Sequence, residues 1–209
     1  MTDNAVNNKP LTKPSLMLLL AANTIPLALT LSGHWSVAEV LFLFWLENVV
    51  IGLFNLLRML LNRAPDAAQK WVLGPFFLVH YGVFTLAHGM ALRAIVFADN
   101  HYDADPFDIE ILWWVLANFQ LWLPLAALVI SHGFSFYWHY LRGGEQYRVT
   151  MSQLMSRPYA RVVVMHVVLI FGGIAAVGLG QPLFALVLLV ALKIVLDVRA
   201  HLREHRASG

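Results

Sequence analysis

Along the chain, long apolar runs alternate with short polar punctuation. Six runs stand out, at about 15–32, 37–60, 71–97, 110–139, 161–178 and 182–200. Each reaches the roughly 17 residues that an α-helix needs to cross about 30 Å of hydrocarbon. The connections carry turn residues: Ser32-Gly33-His34, Asn62 to Asp66, the acidic stretch Asp99 to Glu110, Arg142-Gly143-Gly144 through Pro158, and Gly178 to Pro182. This pattern predicts an all-α polytopic membrane protein built as one six-helix bundle. An N-terminal tail (1–14), a transmembrane domain (15–200) and a short C-terminal tail (201–209) follow from it.

Composition agrees. Hydrophobic residues make up 59% and charged residues 12% of the 209, where a soluble domain carries about 25% charged residues. A water-soluble globule and a disordered chain are both excluded by that balance. If the N-terminus is cytoplasmic, all but one of the 14 Lys and Arg fall on the same side. The exception is Arg93, which neighbours the acidic stretch. The positive-inside rule therefore predicts that both termini are cytoplasmic. No convincing small-residue cleavage site follows the first run, which reads as a retained helix rather than a signal peptide. The basic balance, with a pI near 9.0, is thereby assigned to topology and not to nucleic acid. With no cysteine in the chain, thiolate metal sites and thiol nucleophiles are excluded, and any metal rests on His, Asp and Glu.

Within the runs, Pro26 and Pro124 invite kinks, and Gly172, Gly173 and Ala176 form a small-residue face for close helix packing. Trp35, Trp71, Trp113, Trp114 and Trp138 cluster near run ends, where an aromatic belt belongs.

Ionisable residues inside lipid are costly and each calls for a partner. Those here are Glu47, His80, His88, His132, His139, His166, Lys193 and Asp197, accompanied by Asn48, Asn118 and Gln120. Counting about 1.5 Å per residue from the predicted inner ends puts His80 about 12 Å deep, His166 about 6 Å and Lys193 about 8 Å. His132 and Asp197 fall close to the inner boundary, and Glu47 and His88 at about 20 and 24 Å. Three imidazoles and a carboxylate from separate helices suit a first-row ion such as zinc or iron. The sharpest expectation is a metal site of His80, His132, His166 and Asp197. Glu47 or Asp197 would move protons for metal-bound water, and Asn48, His88, His139 and Lys193 would complete the polar interior. Two rival readings use the same residues: a proton-coupled carrier whose histidines titrate near neutral pH, and a scaffold in which they only hold helices together.

Other motifs weigh less. His201-Leu202-Arg203-Glu204-His205 has the H-x-x-E-H form of an inverted zinc-protease motif, but it stands at the very end of the chain and reads as a charged cytoplasmic helix. Gly133-Phe134-Ser135 lacks the following glycine of rhomboid serine proteases, Phe136 taking its place. Neither a Walker loop nor a dinucleotide fingerprint is present. The basic segment from Arg142 to Arg161 faces anionic lipid. Membrane lipids are the expected partners, and six helices leave open a homo-oligomer in which a second copy closes the site.

Phe44-Trp45-Leu46-Glu47-Asn48, His80-Tyr81-Gly82, His88-Gly89, Ser131-His132-Gly133-Phe134-Ser135, Pro158-Tyr159 before His166, and Lys193 with Asp197 and His201 together resemble an uncharacterised family of small bacterial integral membrane proteins. The resemblance runs from about Leu41 to His205. It implies a multi-pass protein of the bacterial inner membrane and carries no activity with it.

Overall fold

The computed structural model describes residues 30–96 and 109–172, and beyond them residues 174, 183–184, 186–192 and 194–195. Among these residues the chain is helical and has no strand. Three helices are long and apolar enough to cross a membrane: Val37–Leu60, Ala67–Ala94 and Met151–Gly172. The pair Leu112–Asn118 and Trp122–Arg142, bent by 105°, makes a fourth if counted as one span. The predicted first run lies almost wholly outside the described residues. Of the predicted sixth, residues 186–192 are helical, and Leu186, Leu189 and Val190 join the larger core.

Helix α1, Val37–Leu60, starts at a capping box. The Ser36 hydroxyl accepts from the Glu39 N–H at 3.2 Å, and the Glu39 carboxylate accepts from the Ser36 N–H, satisfying two end donors at once. It is the central helix: half of its apolar window is buried, against 22% for α2 (Lys70–Val96) and 33% for the run that ends at Gly172. Its neighbours are α2, α4 (Trp122–Ser135, continued as π-helix over Phe136–Arg142), α5 (Met151–Ser156) and α6 (Tyr159–Val167, continued as π-helix over Val168–Gly172).

Three asparagines seven residues apart, Asn48, Asn55 and Asn62, occupy one face of α1 and its exit, and all are buried. The Asn55 amide donates to the Leu154 carbonyl at 2.8 Å, and the Asn62 amide donates to the Val149 carbonyl at 2.7 Å. The Asn62 carbonyl in turn accepts from the Ala64 N–H. Asp66 accepts the Met151 N–H at the start of α5. These bonds draw the 61–69 connection and the 145–156 segment together, so the basic loop expected between runs four and five is a docked turn and short helix. Around it Met59, Phe77, Tyr81, Met151, Leu154 and Val162 form the smaller core.

The expected single run 110–139 is broken. Helix α3, Ile109–Asn118, ends at a Schellman turn. The Leu121 N–H reaches the Leu116 carbonyl, the Gln120 N–H reaches that of Ala117, and Gln120 sits at φ 51°. Leu116 and Leu121, both buried, make the apolar contact typical of that turn. The turn, and not Pro124, produces the bend. Pro124 falls in the first turn of α4, where a missing N–H leaves no intrahelical bond unmade.

Candidate functional site

Glu47 and Arg161 form an ion pair, Oε1 to Nη1 2.7 Å, with 13% and 32% of their side chains exposed. Glu47 lies about 20 Å from the Leu60 end of α1, and Arg161 about 15 Å from Met151, where its helical run begins. Both charges therefore sit near the middle of their helices. In the sequence Arg161 reads as an inner-boundary residue, because the apolar run begins there. In the fold the run begins ten residues earlier, at Met151.

The same shift explains a second pairing. His166, which the apolar run alone places near the inner boundary, is about 22 Å from Met151. Its Nδ1 lies 3.2 Å from Nε2 of His88, and the two rings meet edge to face. His88 is buried; His166 is exposed.

His132 stacks on Phe54, ring centroids 6.3 Å apart, and lies in the electrostatic field of Glu47 and Arg161. Counted from Arg142, where the π-helical stretch ends, it is about 15 Å deep, level with Arg161 and no longer at the boundary. His80 is enclosed by aromatic rings: Phe76 at 5.1 Å, Phe84 at 5.0 Å and Tyr159 at 5.7 Å. The Asn48 amide donates to the Phe44 carbonyl, its backbone carbonyl accepts from the Tyr81 hydroxyl, and Oδ1 is buried without a hydrogen-bond partner. His139 is exposed at the middle of the π-helical stretch.

Of the four residues expected to share a metal, the three that are described, His80, His132 and His166, are not gathered into one group. Among the described residues no three His, Asp or Glu side chains are placed to hold an ion. His80 keeps aromatic company, His132 sits beside Phe54, and His166 pairs with His88. Lys193 and Asp197, like His201 and His205, lie outside the described residues. Depth along a helix leaves its rotation undetermined, and the expected grouping rested on depth alone.

What the structure does bring together is a set of mid-helix polar pairings: the Glu47–Arg161 pair with His132 in its field, and, separately, the His88–His166 pair between α2 and α6. Two π-helical stretches adjoin them, one beginning four residues after His132 and the other two residues after His166. Such widened turns often accompany functional sites, because they leave backbone carbonyls less tightly engaged. Trp45 ties α1 to α2, its indole donating to the Thr85 carbonyl at 2.8 Å. It lies so near Gly89 that a Cβ there would meet the ring at 2.8 Å.

Arg161 is the functional candidate that reading the sequence missed. Its available signal was position: an arginine followed without interruption by Val162, Val163, Val164 and Met165 belongs to the helix, not to the loop before it. Comparison with curated proteins and with solved structures finds no match. The model of DUF6498, a family of unknown function, matches residues 5–209, nearly the whole chain, and the chain belongs to that family.

Proposed function

We propose that this chain is a six-span protein of the bacterial inner membrane, both termini cytoplasmic, that carries a small anionic solute together with a proton. The observation that carries the reading is the Glu47–Arg161 pair. Two opposite charges on different helices, about mid-way along each, are costly to hold in lipid, and breaking such a pair on one side leaves the other charge uncompensated. A proton on Glu47 removes the carboxylate charge and frees the Arg161 guanidinium. A solute carboxylate or phosphate monoanion then replaces Glu47 as its partner, since guanidinium matches planar oxyanions in a bidentate geometry. Charge stays balanced in both states, so proton and monoanion move as a neutral pair. His132, in the field of both groups, and the His88–His166 pair supply proton acceptors on either side of the switch.

The test uses purified protein in lipid vesicles that enclose a pH-sensitive dye, challenged with small organic anions over an inward proton gradient. Wild type is expected to acidify the lumen in step with anion uptake, and Glu47→Gln, which mimics the protonated carboxyl that the cycle itself visits, to lose the coupled signal. Equal acidification by Glu47→Gln overturns the reading.

A second reading, transition-metal binding, keeps one favourable observation, the two imidazoles of His88 and His166 on adjacent helices. Zinc or iron held there would take further ligands from residues such as Asp197. Metal content that falls on His88→Ala and His166→Ala would favour this reading over the carrier.

A further inference from the structure

A groove of about 240 Å³ runs along the seam between α1 and α2, and its walls present only apolar atoms. On α1 it is bounded by Val49, Leu53 and Leu56, and on α2 by Leu78, Gly82 and Leu86. Glycine opens the α2 wall: a Cβ at Gly82 would meet nothing within 4 Å, and the same holds for Gly74, eight residues earlier. The row Leu86, Gly82, Leu78, Gly74 steps by four toward Lys70. There the Lys70 ammonium donates to the Leu60 carbonyl at 3.3 Å, fixing it on the α1 side of the seam, and rests 5.9 Å from the Trp71 ring centroid. Lys70 is about 12 Å along the helix from Leu78, so a cation and an interfacial tryptophan stand beyond one end of an apolar slot.

We infer that this seam binds one anionic phospholipid, an acyl chain lying in the groove between Gly82 and Leu53 while the phosphate meets the Lys70 ammonium. The occupant is a lipid and not a helix of a second copy because the slot is wholly apolar and a positive charge stands on the same seam about 12 Å beyond it, within the reach of one phospholipid. That charge complements a phosphate, and cationic side chains at the inner boundary attract anionic headgroups. The inference rests on the membrane placement proposed above and is independent of the carrier activity.

The test is native mass spectrometry of the detergent-purified full chain titrated with phosphatidylglycerol or with phosphatidylcholine of the same chain length. Wild type is expected to take up one phosphatidylglycerol in preference to phosphatidylcholine. Gly82→Leu, which fills the slot, should weaken both lipids by about tenfold or more, a change on the order of 1.4 kcal/mol. Lys70→Gln should abolish the preference and leave the weaker, chain-only binding. Leu86→Trp fills the same slot from its other end and stands in if Gly82→Leu does not fold. Unchanged binding by the slot-filling variants overturns the groove, and a preference that survives Lys70→Gln overturns the headgroup contact. A dimer in wild type that Gly82→Leu dissociates also overturns the inference, assigning the seam to contact between copies.

Discussion

Asn62 shows how single polar side chains hold this bundle together. It is wholly buried, and its amide and carbonyl bond to the backbone of Val149 and Ala64. Asn62→Ala strands two buried backbone groups, each costing about 1–3 kcal/mol. The expected outcome is a clear fall in thermal stability in detergent, measured beside an alanine substitution at exposed Leu61. The seven-residue spacing of Asn48, Asn55 and Asn62 was legible in the sequence as one face of a helix, yet in a run so apolar it is easily passed over in favour of the charged residues. Glu47 and the membrane-depth histidines were legible because ionisable groups in lipid are conspicuous. Their partners were not, because contact between helices depends on rotation as well as depth.

At the scale of elements, the break between α3 and α4 is the feature least visible beforehand. Such turns usually announce themselves by glycine at the left-handed position. Here Gln120 takes that conformation at φ 51°, and Leu116 and Leu121 blend into the surrounding apolar run. A left-handed non-glycine residue costs about 1–2 kcal/mol, so Gln120→Gly should raise the unfolding temperature, where the same change in a helix interior would lower it. A fall in that temperature would contradict the turn. Beyond the break α4 continues through Arg142, which stacks over Trp138 at 5.3 Å. Lys70 over Trp71 makes a similar pair at the start of α2. The aromatic residues expected at run ends are thus joined to cations at the end of the bundle where α1 closes and α2 opens.

For the whole molecule, the hydrophobic pattern located helices among the described residues but misjudged where one of them starts and where another breaks. Extending the fifth run back to Met151 moves Arg161 and His166 by about 15 Å. That single change carries His166 to the level of His88 and converts a presumed boundary arginine into the partner of Glu47. Docking of the 145–156 segment through Asn55, Asn62 and Asp66 is what makes the extension possible, and those are tertiary contacts that no local window of sequence displays. The central claim, that Glu47 and Arg161 act as a coupling switch and not merely as glue, is tested most directly by the double variant Glu47→Gln with Arg161→Gln. Replacing both side chains by amides removes both charges, so neither is left uncompensated and the fold should survive. In vesicles under a proton gradient, the variant is predicted to be stable and to show no anion-coupled acidification. Wild-type coupling in that variant would contradict the switch and leave the pair as a structural tie between α1 and α6.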